Sequence, residues 1–191
     1  MITSLSNEKV KFARGLSAKK NRSTHRQFLV EGVRAIEEAE RAGTVPALVF
    51  YDPAAVETDD RAQRLINKLQ ARTSRIDAVS PAVLSSLAQT ETPQGIIGVY
   101  SFPDFPLPAA PSLALVIDAV RDPGNLGTML RTAWAAGVDA ALLGPGTADP
   151  YNPKVVRAAM GAHFSLPIRP LPWPEIARSI RASGGVQSAF A

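Results

Sequence analysis

The sequence predicts an α/β chain of two domains, a small N-terminal α/β domain followed by a C-terminal domain built on a parallel sheet. Three observations carry this. Short apolar runs alternate with helical periodicities along nearly all of the 191 residues, the pattern of helices covering a sheet. One stretch, FPDFPLPAAPS (102–112), holds four prolines in eleven residues and divides the chain as a stiff, extended linker. Beyond it, LALVID (113–118) and VDAALLG (138–144) are continuous apolar runs, as expected of strands buried on both faces of a parallel sheet. The domains are read as 1–101 and 112–191, joined by the linker 102–111.

The first segment is basic. Residues 8–26 carry Lys9, Lys11, Arg14, Lys19, Lys20, Arg22 and Arg26 against Glu8 as the only acid. Val10, Phe12, Ala13 and Leu16 fall on one side, so this reads as a basic amphipathic helix followed by a basic loop. Such a face is either simply solvated or an arm that contacts phosphates, since lysine and arginine neutralise a nucleic-acid backbone regardless of sequence. QFLVEG is then a strand and VRAIEEAERAG a helix, with Gly43 as its stop. ALVFYD is a second strand, DRAQRLINKLQAR a second helix and RIDAVS a third strand. SPAVLSSLAQ opens with Ser80 as N-cap and Pro81 in the first helical position, so it is a helix. GIIGVYSF closes the domain as a strand.

After LALVID, the stretch DPGNLGTMLRTAWAAG (122–137) joins a polar turn to a helix. PYNPKVVRAAMGA leads into another helix, FSLPI is a short strand, WPEIARSIRAS a helix, and GGVQSAFA begins a further strand. The mixture of 46% hydrophobic and 20% charged residues is globular composition. There is no cysteine, which excludes disulfides, thiolate catalysis and cysteine zinc sites. With His25 and His163 as the only histidines, no metal centre is expected. The N-terminus lacks the pattern of a signal peptide, and no apolar run is long enough to span a bilayer. A cytoplasmic location is expected, with no membrane partner. The net charge of +4 and pI near 9.7 permit an anionic partner.

In open parallel sheets ligands sit outside the carboxyl ends of the strands, and residues 119–126 occupy such an end. Gly124 and Gly127 let the backbone approach a partner, and the helix start offers N–H groups to an anion. Asn125 is either the helix cap or a cleft residue. Arg131 lies six positions further, about 600° around the helix, so it borders the same cleft only if Asn125 precedes the first turn. No dinucleotide-binding glycine turn, P-loop or nucleophile elbow occurs.

The segment DAVRDPGNLGTMLRTAWAAGVDAALLG resembles the first motif of the SpoU (TrmH-type) RNA ribose 2′-O-methyltransferases of the SPOUT class, and NPKVVRAAMGAHFSLPI the stretch that follows it there. ITSLSNEKVKFARGL, KKNR, FLVEGVRAIEEAERAG and TETPQGIIGVY are similar to the RNA-binding domain that precedes it. The resemblance implies an N-terminal RNA-binding domain and a SPOUT-type methyltransferase domain. The activity it implies is transfer of the methyl group of S-adenosylmethionine to a ribose 2′-hydroxyl in ribosomal or transfer RNA. It places Asn125 and Arg131 at the catalytic cleft: the guanidinium, permanently cationic, stabilises charge developing on the attacking oxygen, and Asn125 holds the loop and Arg131 in position. RNA contacts are expected from Arg14, Lys19, Lys20, Arg22 and Arg26. Arg157 is a candidate for RNA or dimer contacts, since family members are dimers, and the helices within 129–136 and 155–160 are candidates for the interface. Trp134 is expected in the core.

Two later family motifs, a Gly/Asn-Glu-x-x-Gly loop and a Ser-Leu-Asn segment threaded into a knot, do not occur in this sequence. The knot region is therefore expected to be incomplete, the cofactor-binding residues to lie outside this sequence, and cofactor affinity of the chain alone to be weak or absent. Uncovered apolar edges are expected on LALVID and VDAALLG. An RNA-binding module without catalysis is the alternative reading.

Overall fold

The computed structural model describes residues 1–73, 75–90, 93–109 and 111–182, and it divides into two compact units, Met1–Phe102 and Pro103–Ala191. The first unit runs α1 (Glu8–Gly15), α2 (Lys19–His25), β1 (Gln27–Glu31), α3 (Val33–Arg41), β2 (Leu48–Tyr51), α4 (Pro53–Glu57), α5 (Asp60–Gln70), β3 (Ile76–Ala78), α6 (Pro81–Leu87) and β4 (Ile96–Ser101). Its sheet has the order β1-β4-β2-β3. Strand β4 lies antiparallel to β1 and β2, and β3 parallel to β2. The apolar side of α1 (Val10, Ala13, Leu16) and that of α6 (Val83, Leu84, Leu87) join Leu29, Phe50, Ile97 and Val99 in one buried cluster. Helix α3 packs against α5 and against β1 and β4, and the Arg61 guanidinium ties to Glu37 between the two helices. That bond holds the Glu37 carboxyl below its ordinary range.

Two elements of this unit depart from the sequence reading, and in the second unit the strand expected at FSLPI begins only at its last residue, Ile168. Residues 19–25 form a helix rather than a loop. The reason is Arg22, which is 2% exposed. Its guanidinium donates to the carbonyls of Leu16 at 2.8 Å and Ser17 at 2.6 Å, so it occupies the acceptors at the end of α1 and folds the next turn back on them. Helix α4 is the second departure. Asp52 accepts from the Ala54 N–H as its cap and Pro53 stands in the first turn, a signal of the same kind as that at Ser80.

The second unit runs β5 (Ala114–Ile117), α7 (Pro123–Ala135), β6 (Ala140–Leu143), α8 (Pro153–Ala159), a 3₁₀ turn (Ala162–Phe164), β7 (Ile168–Pro170) and α9 (Trp173–Ala182). The sheet is parallel throughout, in the order β5-β6-β7. Helices α7 and α8 cover one face through Leu126, Leu130, Ala133, Val155 and Ala159. Ile176 of α9 covers the other, over Val116, Ala140 and Leu142. Trp134 packs on the first of these clusters as expected. Because β6 is paired on both sides, it has no open edge; among the described strands of this sheet, the outer positions belong to β5 and β7. The strand expected at 184–191 lies outside the described residues.

The proline-rich stretch is not a free spacer. Leu107 packs against the core under α9, and the Arg169 guanidinium of β7 binds the Phe105 carbonyl. At the entry to β5, Asp139 accepts from the backbone N–H groups of Ser112 (2.7 Å) and Leu113 (3.0 Å) and from the Ser112 hydroxyl (2.8 Å), which together hold its carboxyl below the ordinary range. Prolines favour extended backbone but leave carbonyls free to be captured.

Candidate active site and basic surface

The carboxyl ends of β5 and β6 are bound to each other by their loops. Gly144 N–H donates to the Ile117 carbonyl at 2.8 Å, and Ala148 N–H to that of Val120 at 2.8 Å. Ala119, between them, adopts φ 52°, a conformation unfavourable for alanine that the surrounding bonds impose. The loop after β6 is held from its other side by His163, which is 2% exposed. Its Nε2–H donates to the Pro150 carbonyl at 2.7 Å, and burial drives the imidazole pKa down to about 4.

The turn itself is built differently from the expectation. Asp122, not Asn125, caps α7: its carboxylate accepts from the Asn125 N–H at 2.8 Å. Pro123 follows in the first turn and lacks an N–H. The chain's own carboxylate thus occupies the seat expected for an external anion. Asn125 lies inside the helix and is exposed, and its side chain makes no hydrogen bond among the described residues. It therefore braces neither the loop nor Arg131; the bracing falls to Asp122.

Gly127 is likewise not open to a ligand. A Cβ there would stand 2.5 Å from the Ala158 Cβ and 2.6 Å from the Val155 carbonyl oxygen, so the missing side chain lets α7 and α8 cross at close range. Gly124 is exposed, and only the Asp122 carboxylate, at 3.2 Å, comes near a Cβ built there.

Asn125 and Arg131 are nonetheless brought into relation. At about 100° per residue they stand about 120° apart on α7, separated by about 9 Å along its axis. Leu126, Gly127, Leu130 and Ala133 take the buried arc, and the arc between Asn125 and Arg131 is exposed with Thr128 in its middle. The two predicted residues flank one polar face. Arg131 is exposed and makes no hydrogen bond or ion pair with the described residues. Thr128 escaped the sequence reading, although the spacing 125, 128, 131 marks it. Arg157 is exposed on α8, one turn from exposed Lys154.

At the end of β6, Gly144 is buried, with the Trp173 indole 3.0 Å from a Cβ built there, whereas Gly146 and Asp118 are exposed, Asp118 with a carboxylate, the charge a sulfonium favours. Among the described residues no group of acids and histidines could hold a metal ion, and no helix is long and apolar enough to cross a membrane.

In the first unit Lys11, Arg14, Lys19, Lys20 and Arg26 are exposed. The Lys9 ammonium instead pairs with Asp77 at 2.8 Å. Arg22 is a correction to the expected RNA contacts: buried and committed to two backbone carbonyls, it cannot reach a phosphate without unfolding the turn it holds.

Residues 7–98 match the MRM3-like substrate binding domain, and residues 112–187 the SpoU rRNA methylase family. The chain is 40% identical, over 96% of its length and 70% of the relative's, to the 23S rRNA (guanosine(2553)-2′-O)-methyltransferase RlmP of Bacillus subtilis. It is 41% identical to the mitochondrial rRNA methyltransferase 3A of Danio rerio, over 81% of this chain but 36% of that one. The AdoMet-bound rRNA methyltransferase from Sinorhizobium meliloti superposes with a TM-score of 0.80 at 33% identity, covering 95% of this chain and 68% of that one.

Proposed function

The chain belongs to the SpoU rRNA methylase family, and from that premise we propose that it acts in the S-adenosylmethionine-dependent methylation of a ribose 2′-hydroxyl in ribosomal RNA. The observation that carries the site assignment is the exposed Asn125, Thr128 and Arg131 face of α7, beside the loops at the carboxyl ends of a parallel sheet. When bound, S-adenosylmethionine supplies an activated methyl group, so the protein's task is alignment and charge. What remains to this chain is to position the ribose 2′-hydroxyl and to bear the charge that its oxygen would gain as the proton departs to water. Arg131 stabilises the negative charge that develops on that oxygen, or on the adjacent phosphate, at no reorganisation cost if the cation is already in place. Asn125 and Thr128 orient the ribose through hydrogen bonds, and Asp122 keeps the turn in shape. Fixing the ribose hydroxyl in one orientation would account for much of the acceleration, since well-oriented reactants reach effective molarities of about 10⁵ M or more.

A homodimer belongs to this reading. The same exposed side of α7 carries the small residues Gly124, Thr132 and Ala135, which permit close approach of a second helix. A ribosomal RNA substrate also fits a cytoplasmic location. The test is transfer of labelled methyl from S-adenosylmethionine to ribosomal RNA. Arg131→Ala is expected to lower the rate by about 10²–10³, as loss of one charge-stabilising donor does, with RNA affinity largely retained. A rate unchanged by Arg131→Ala refutes the assignment, and RNA binding without any methyl transfer makes the chain a binding module.

A further inference from the structure

The end of α2 carries two flat, exposed groups, each in contact with an aromatic ring. The His25 ring meets that of Phe12 edge-on, with centroids 5.1 Å apart and an interplanar angle of 76°. The guanidinium of the next residue, Arg26, lies 5.6 Å from the centre of the Phe102 ring. Arg26 holds this place through its backbone. It ends α2 in the left-handed conformation at φ 50°, and its carbonyl accepts from the Phe102 N–H at 2.8 Å. Phe102 in turn packs on buried Phe28 at 6.0 Å. Both His25 and Arg26 face solvent.

We propose that His25 and Arg26 form a stacking platform for unpaired RNA bases, with Arg14, Lys19 and Lys20 drawing in the phosphates on either side. The proposal rests on the RNA substrate reading above and specifies which state of the RNA is held. No acidic residue occurs from position 9 to position 30, so the field around the platform favours a polyanion. Arginine and histidine planes are what splayed-out RNA bases stack on. A group already held by a neighbouring ring, as His25 is by Phe12 and Arg26 by Phe102, loses little further freedom when a base covers it. A duplex offers no free base face, so single-stranded RNA is the occupant.

The test uses the whole chain and a short fluorescein-labelled RNA in three forms: single-stranded, annealed to its complement, and single-stranded with abasic nucleotides. His25→Ala, and Arg26→Lys, which keeps the charge and removes the plane, are each expected to weaken single-strand affinity about tenfold. Affinity for the duplex and the abasic strand should stay as in wild type, as should the slope of affinity with salt and the melting temperature. Wild-type affinity of both variants for the single strand refutes the platform, as does an equal loss on the abasic strand, which would reduce both residues to phosphate contacts. If methyl transfer to ribosomal RNA persists with these affinities unchanged, the platform alone fails; wild-type protein that binds no form of the RNA refutes the substrate reading as well.

Discussion

Replacing Gly127 by alanine separates two effects that oppose each other at one position. In an exposed helix interior the change would stabilise by about 1 kcal/mol, since glycine is the poorer helix former. Here the added Cβ meets the Ala158 Cβ at 2.5 Å and the Val155 carbonyl at 2.6 Å. Ordinary contact begins at 3.4 Å, so the helices must open by about 0.9 Å, the difference between 3.4 and 2.5 Å. One of the obstacles is backbone, which no rotamer change relieves. Overpacking of this kind costs about 1–3 kcal/mol. With the rigid neighbour placing it near the upper end, the net loss is about 2 kcal/mol, or roughly 10 °C in the melting temperature of a unit of this size. Circular dichroism melts measure it. Gly124→Ala, three residues earlier on the same helix and near only the movable Asp122 carboxylate, is the control and should stay within about 1 kcal/mol of wild type. A Gly127→Ala protein that melts at or above the wild-type temperature would refute the close-crossing argument. Because α7 also carries Asn125 and Arg131, methyl transfer should fall with the shift, by up to about 10²-fold.

Other outcomes follow from single side chains. Lys19→Ala with Lys20→Ala should weaken RNA binding and flatten its logarithmic salt slope by about 0.7–0.9 for each phosphate no longer neutralised, with stability unchanged; a wild-type slope would make the basic side of α2 a solvated surface. Arg22→Gln should do the reverse, lowering the melting temperature through loss of charged bonds worth about 1.5–3 kcal/mol each, and an unaltered melt would contradict its role at the turn. For His163 the folded pKa of about 4 lies below the ordinary 6.5, so above 6.5 the neutral ring costs nothing. As pH falls from 6.5 towards 4 the unfolded chain binds the proton first and folding loses about 3 kcal/mol. His163→Gln should flatten that part of the stability profile, measured by denaturant melts between pH 7 and pH 4, and an identical profile would place the acid sensitivity elsewhere.

Much of the architecture is legible without coordinates because its signals are local. The Ser80–Pro81 start of α6, the apolar stripe of α1, and the unbroken apolar runs of β5 and β6 each reflect a preference of the chain within a few residues of itself. The family pattern around 122–133 is legible for the same reason: its spacing survives in the linear order of residues. Two misses, the Asp52–Pro53 start of α4 and the Asp122 cap of α7, were local signals passed over; elsewhere the deciding contact is not written in residue type. Arg22 looks identical to Arg26 in a basic run, yet one is buried on two carbonyls and the other lies over Phe102, a residue from the far end of the domain.

Sequence alone determined that this chain alternates strand and helix, that its second half is a parallel sheet of SpoU type, and that Arg131 stands on the helix after the turn that holds Asn125. Tertiary structure decided what each glycine and arginine is for. Gly127 serves a helix crossing, Arg22 is buried on the carbonyls at the end of α1, and the Pro-rich stretch is pinned by Arg169. The physical reason is that periodicity and capping act over one or two turns, whereas burial and hydrogen-bond satisfaction are settled by atoms that meet only after the chain has folded.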